Sequence, residues 1–205
     1  MILETKNLGH YYTREDWLFR NLNLEASSGE VLGIKAPSGY GKTTIGKILA
    51  GLMSPVEGQV TLDGNPIRKK GYNPVQLIFQ HPEQAVNPRF KMHDVLREAW
   101  DVDHQLMASF GIQQDWLARW PNELSGGELQ RFCVLRALGP KTRVIIADEI
   151  TTMLDALTQA KIWHVLLGQV KSRQLVLIVI SHEDRLLERV CTRTIDLTRL
   201  TAEQT

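Results

Sequence analysis

At 205 residues the chain has the length of one domain, or of one domain carrying a substantial insertion, and a chain this size buries roughly 70% of its unfolded surface without needing disulfide or metal staples. Apolar residues make up 43% and charged residues 23%, ordinary globular values, and the formal net charge of +1 points to no polyanion partner and so to no nucleic acid. The longest apolar run, residues 175–180, is far shorter than the roughly 20 residues that cross a bilayer, so work at a membrane would go through a partner embedded there.

Residues 2–8 alternate weakly and predict an edge strand; this start is already strand-like and charged, so no secretory leader is expected. His10-Tyr11-Tyr12 follows, and its aromatics could stack on a purine ring or simply pack at a strand end; the pattern leaves both open. Apolar residues at 18, 22 and 24 predict a second strand, with Ser27-Ser28-Gly29-Glu30 as a turn.

The apolar run 31–34 leads into Ala36-Pro37-Ser38-Gly39-Tyr40-Gly41-Lys42-Thr43-Thr44, and an amphipathic stretch follows at 45–50. Strand, tight loop and helix are the context that a phosphate-binding loop requires. Its small residues let backbone N–H groups turn toward a phosphate chain at a helix N-terminus, where the helix dipole also favours anions. Lys42 adds a positive charge for the β- and γ-phosphates, and Thr43 a hydroxyl for Mg²⁺. The full pattern has Gly where this chain has Ala36. An alanine held at positive φ would cost about 1–2 kcal/mol, so Ala36 is predicted at negative φ with the loop intact.

Gly51 and Pro55 stop the helix, and residues 59–63 predict a short strand turning at Asp63-Gly64-Asn65-Pro66. Arg68-Lys69-Lys70 has no interleaved aromatics and reads as a solvated loop. Residues 75–80 form a buried strand ending in Gln80. From 81 the composition changes: Pro82 and Pro88 break the chain, and helices are predicted over 94–100 and 103–110. Trp116 and Trp120, at i and i+4 on a third short helical stretch, read as the insertion's own core rather than a groove for a partner helix. His81, His93, His104 and His164 share no ligand spacing, so no metal is assigned to them. Cys133 and Cys191 read as small buried hydrophobes in a reducing compartment.

Ser125 is a natural N-cap, and Glu128 completes a capping box for the helix that ends by Leu138-Gly139-Pro140. With Gly126 and Gly127 this makes a second anion-binding helix terminus, far in sequence from the first. Residues 143–149 are a buried strand ending in Asp148 and Glu149. At the C-terminal edge of an open α/β sheet, where ligands bind, the Asp can hold Mg²⁺ through water and the Glu can take a proton from an attacking water. A helix over 157–170 and a buried strand over 175–180 follow, and His182 stands at the same edge. A short strand is predicted over 194–200, with 201–205 as a frayed end.

Taken in order, APSGYGKTT, a glutamine after VQLIF, LSGGELQR, VIIADE, LDA and VISH make the sequence similar to the nucleotide-binding subunit of ATP-binding cassette (ABC) transporters, over nearly the entire chain. The LSGG string between a P-loop and a Walker B strand is its most specific part. The resemblance implies an α/β P-loop NTPase fold of ABC type: a RecA-like core sheet, an N-terminal antiparallel β subdomain and an inserted helical subdomain. It implies one ABC ATPase domain over 1–205, with 1–80 and 124–205 as the α/β core and 81–123 as the helical subdomain.

It further implies that Tyr12 stacks on adenine, with Tyr11 as runner-up, and that Ser38, Gly39, Tyr40, Gly41, Lys42, Thr43 and Thr44 hold the phosphates of ATP. Thr43, Gln80 and Asp148 would serve Mg²⁺. Ser125, Gly126, Gly127 and Glu128 would be the signature that binds ATP held by a second subunit. Asp155 would be the D-loop aspartate, Glu149 the general base and His182 the switch histidine, with Lys42 and Gln80 also part of the catalytic set. Residues 80–89, QHPEQAVNPR, resemble the corresponding region of peptide and nickel importers.

The implied function is ATP hydrolysis that energises an importer for peptides, nickel or a metal–ligand complex. The implied partners are membrane permease subunits, a second ATPase subunit (identical or a sister chain) and, indirectly, an extracytoplasmic solute-binding protein. The place of work would be the cytoplasmic face of the membrane. A non-transport ABC ATPase in a soluble enzyme or repair assembly is the alternative; the neutral charge and the lack of a coiled-coil insertion argue against repair. A degenerate cassette that binds ATP without hydrolysing it is opposed by the intact Lys42, Asp148, Glu149 and His182. Three departures from the family pattern stand beside Ala36. Residue 128 is Glu where Gln is frequent, Thr152-Met153-Leu154 replaces Ser-Ala-Leu, and the insertion is short. The C-terminal extension of many peptide importers is not expected.

Overall fold

The computed structural model describes residues 2–13, 16–37, 39–67 and 71–198. Ser38, the basic run at 68–70 and the predicted frayed end lie outside the described residues, as do the last two residues of the strand predicted over 194–200.

Two sheets carry the fold. The first is antiparallel. β1 (Ile2–Thr13) pairs with β2 (Asp16–Leu22) on one side and, at its start, with β3 (Glu25–Ser27). On its other side it pairs with β5 (Glu57–Leu62), which turns back into β6 (Asn65–Pro66). The second sheet is parallel. It is built from β4 (Val31–Lys35), β7 (Val75–Ile78), β8 (Val144–Asp148), β9 (Val176–Ser181) and β10 (Arg193–Asp196), in the spatial order β10-β4-β9-β8-β7.

Strict alternation along the parallel strands splits the apolar core in two. Ile34, Val144, Ile146, Ile178 and Ile180 point to one side. There they meet Ile45, Ile48 and Leu49 of α1 (Lys42–Leu49) and Leu8, Phe19 and Leu22 of the antiparallel sheet. Ile145, Ala147, Leu177 and Val179 point to the other side. They meet Phe132 and Leu135, then Trp163 and Leu166, and with them Met92 and Phe110 of the helical segment. That segment comprises α2 (Met92–Arg97), α3 (His104–Ser109) and short 3₁₀ turns. It leads into α4 (Gly126–Ala137); α5 (Ala156–Arg173) and α6 (Asp184–Val190) complete the helices.

Several element bounds differ from the sequence reading, for local reasons. The strand predicted over 18–24 runs from Asp16 to Leu22. It stops where Asn21 takes φ 52°, a conformation asparagine tolerates, and the Asn23 side chain folds back onto the Asn21 carbonyl at 2.8 Å. The first helix of the insertion starts at Met92 and ends at Arg97; Asp103 is the N-cap of the second rather than part of its first turn. Trp116 is core, at 5% exposure. Trp120 is not: it is 40% exposed, with Lys91 Nζ 5.8 Å from its ring. Pro121 forces its predecessor into the extended region, so the two tryptophans never share a helical face. Cys133 is buried and Cys191 half-buried; burial pushes their thiols up to about 12 and about 11, leaving both unreactive at neutral pH.

The antiparallel sheet depends on one glycine. β1 and β5 slip register between Lys6 and Gly9, so that Asn7 and Leu8 together oppose Gly58 in a bulge. Gly58 has φ 76°, and a Cβ there would lie 2.3 Å from the Lys6 carbonyl oxygen. Gly58→Ala is therefore expected to destabilise the chain by roughly 2–4 kcal/mol, read as a lowered urea midpoint, while a neutral outcome would mean that the bulge can reshape.

Candidate nucleotide-binding site

The loop between β4 and α1 turns because Gly39 and Gly41 adopt φ 86° and 75°. Ala36 is fully buried and is not among the five described non-glycine residues with positive φ, as predicted. Gly41 caps α1 without a side chain, so the helix presents its first N–H groups outward. Lys42, the first residue of α1, folds back over the loop. Its Nζ donates to the Ala36 carbonyl at 3.0 Å and lies 2.7 Å from Glu149 Oε1, with both side chains only 9% exposed.

Sheet order delivers the other groups. β8 and β9 are neighbours in register, with Asp148 opposite Ile180, so the residues just beyond them emerge together. Glu149 takes φ 49°, which costs an L-residue about 1–2 kcal/mol, and its N–H donates to the Ile180 carbonyl at 3.0 Å. This bend aims its carboxylate at Lys42. His182 Nδ1 lies 2.8 Å from the same Glu149 oxygen, with the ring half-exposed. Burial pushes the Glu149 carboxyl up, but hydrogen bonds from Lys42 and His182, reinforced by their charges, outweigh it, and the net direction is down.

Asp148 is buried, and burial raises its carboxyl above the ordinary range against a hydrogen bond to Thr43. These residues share an open cleft of about 380 Å³, lined also by Gly39, Gly41, Thr44, Gln80 and Tyr12. A desolvated carboxylate, a hydroxyl touching it and an amide in the same cleft are hard oxygen donors, a set that fits Mg²⁺. The cleft separates the two tyrosines. Tyr12 is 67% exposed and its hydroxyl is 2.7 Å from Thr44 Oγ1. Tyr11 instead packs edge-on against Trp17, with centroids 4.7 Å apart, so for it strand-end packing holds. Tyr40 lies half-exposed on the loop. Sequence reasoning missed Leu18, which lines the cleft against Gly41, and the Ala36 carbonyl as an anchor for Lys42. An apolar strand residue and a backbone oxygen carry no motif.

The signature residues lie elsewhere. The Ser125 hydroxyl accepts from Glu128 N–H at 3.3 Å while the Glu128 carboxylate accepts from Ser125 N–H at 2.7 Å, the predicted capping box. Gly126 has open space where a Cβ would stand. Ser125, Gly127 and Glu128 line a second cleft of about 400 Å³ with Met153, Leu154 and Asp155. Asp155 caps α5 by accepting from Leu157 and Thr158 N–H, and the Thr158 backbone bond leads in holding its carboxyl below the usual range. No described residue lines both clefts.

The Glu149 cluster makes stability depend on pH. With the folded carboxyl held below its unfolded value of about 4.3, the cluster's contribution is complete above that pH and is lost as pH falls through the folded value. Urea unfolding between pH 3 and 5 should therefore show a shallower acid loss for Glu149→Gln than for the wild type; parallel curves would mean that the carboxylate is not held by Lys42 and His182.

Comparison with known proteins places the chain in a family. The family model described as ABC transporter matches residues 19–152. The nickel import system ATP-binding protein NikE of Staphylococcus aureus (strain N315) is 32% identical over 209 residues, covering 96% of this chain and 86% of that protein. The dimeric structure of MJ0796, a bacterial ABC transporter cassette, superposes with a TM-score of 0.80 at 25% identity, covering 95% of this chain and 94% of that one. Its post-hydrolysis dimer bound to ADP and Pi gives 0.81. A putative ABC transporter ATP-binding protein from Pyrococcus furiosus shares the fold at 21% identity and a TM-score of 0.79, covering 98% of this chain and all of that one. With the family model over residues 19–152, a relative 32% identical over 96% of this chain and an α/β cassette fold shared with solved cassettes, the chain belongs to the ABC transporter family as one of its ATPases.

Proposed function

We propose that this chain energises an importer for nickel, peptides or a metal–ligand complex, working as one of two ATPase subunits beneath a membrane permease. The observation that carries the two-subunit reading is the separation of the clefts: Lys42 and Glu149 line one, with His182 bonded to Glu149, and Ser125 and Gly127 line the other. A signature that does not reach its own P-loop is free to close over ATP held by a second molecule, whose signature serves this chain in return. The importer reading draws on the similarity to the nickel import protein and on residues 80–89. Among the described residues no helix is long and apolar enough to cross a membrane, so attachment would run through permease chains at the cytoplasmic face. An extracytoplasmic solute-binding protein would deliver the cargo to that permease.

In this reading Tyr12 stacks on adenine. Gly39, Tyr40, Gly41 and the N-terminus of α1 hold the phosphates, joined by Ser38, Thr43 and Thr44. Lys42 exchanges Glu149 for the β- and γ-phosphates. Thr43, Asp148 and Gln80 would hold Mg²⁺, which would offset phosphate charge. Glu149, released from Lys42 and still held by His182, takes the proton of the attacking water. His182, half-exposed and bonded to Glu149, would contact the γ-phosphate from there. The partner's signature stabilises the same phosphate, and Asp155 sets the α5 terminus beside it. Closure on ATP and opening after hydrolysis form a two-state switch that a permease can use.

Glu149→Gln should lower ATP turnover by roughly 10²–10⁴-fold, the worth of a general base, while nucleotide titration still shows binding; unchanged turnover would remove Glu149 from that role. Lys42→Ala should lose ATP affinity in the same titration. Tagged chain recovered from detergent-extracted native membranes should carry hydrophobic permease chains with it. Recovery with soluble proteins alone would overturn the importer reading.

A further inference from the structure

The face of α4 that follows the signature makes a regular set of contacts with the segment carrying Gln80. Gln130 Nε2 donates to the Phe79 carbonyl at 3.2 Å, Cys133 Sγ to the Pro82 carbonyl at 3.6 Å, and Arg136 to the Ala85 carbonyl. Donors and acceptors both advance by three residues, and each pair is separated by 51 positions in sequence. The segment leaves the parallel sheet at Ile78, where β7 ends, and fastens its carbonyls to the signature helix.

The two polar donors are costly where they stand. Gln130 is 2% exposed, and its Oε1 is buried without a hydrogen-bond partner among the described residues; Arg136 Nε is likewise buried and unpartnered. A buried polar atom left unpaired destabilises, and a methionine would fill the place of Gln130 without that penalty. What the amide supplies in return is the bond to Phe79, the residue before Gln80. Gln80 lines the nucleotide cleft with Lys42, Thr43, Asp148 and Glu149.

We infer that Gln130 and Arg136 are positioning residues for ATP hydrolysis: they lock the segment 79–85 to the signature helix, so that Gln80 in one nucleotide cleft and Ser125-Gly126-Gly127 beside the other move as one body. This inference rests on the proposed role of Gln80. Lys42 and the loop hold the phosphates, with Thr43 and Asp148 beside Gln80 for Mg²⁺, so loosening Gln80 lowers turnover more than it weakens ground-state binding.

The test is a double-substitution cycle on the full chain, assayed where ATPase activity per chain has saturated with chain concentration. Gln130→Met should lower kcat roughly three- to tenfold, the worth of one hydrogen bond, with KM for ATP moving less than kcat and the urea midpoint unchanged. Arg136→Met should act in the same direction. In a Gln80→Ala background Gln130→Met should cost nothing further, because its effect passes through Gln80. Losses that multiply across the cycle would overturn the inference and make Gln130 a structural residue. A full-rate Gln130→Met beside an impaired Gln80→Ala would overturn it while leaving the Gln80 role intact. A full-rate Gln80→Ala would remove both.

Discussion

The parallel pairing of β4, β9 and β8 is the constraint from which the site follows. These strands are buried on both faces, so each backbone N–H and C=O must find its partner in a neighbouring strand, and a one-residue slip would exchange the two apolar faces. The register that satisfies both demands sets Lys35 beside Ser181 and Asp148 beside Ile180. The loop leaving β4, the carboxylates leaving β8 and the histidine leaving β9 therefore reach one edge together, although about 140 residues separate the first from the last.

What gathers at that edge is charged and poorly solvated. Lys42 and Glu149 are nearly enclosed, and removing either would leave the other as a buried charge without its partner. The Lys42–Glu149 ion pair keeps a cation neutralised in a poorly solvated cleft, the part that phosphate would take in the proposed complex. The left-handed backbone at Glu149 is part of this arrangement, since it bends the carboxylate toward Lys42 immediately after an extended, fully buried strand. Asp148, one residue earlier, is buried at the end of the same strand, and burial raises its carboxyl against a hydrogen bond to Thr43.

The starts of α4 and α5 are settled differently. Ser125 and Glu128 satisfy each other across the start of α4, and Asp155 satisfies the start of α5, so these termini are complete as helix caps before any ligand arrives. The open space over Gly126 leaves room for a ligand's approach from outside the chain. The helical segment is held to the core through Phe132, Trp163 and Leu166 rather than through sheet pairing.

Motifs and periodicity alone determined the phosphate loop, the buried strands, the capping box at Ser125 and the candidate carboxylates and histidine, because each depends on near neighbours in the chain. The negative φ of Ala36 was legible too, since an alanine conserves the loop only in that conformation. The tertiary structure decided what those neighbours could not. It separated Tyr12 from Tyr11, put Trp116 in the core and Trp120 at the surface, and gave Glu149 its positive φ and its lysine partner. It also set the starts of α1 and α4 in different clefts. The physical reason is the range of the forces involved. Caps, turns and alternation are settled within a few residues, whereas burial, charge pairing and strand register belong to segments that meet only when the sheet closes.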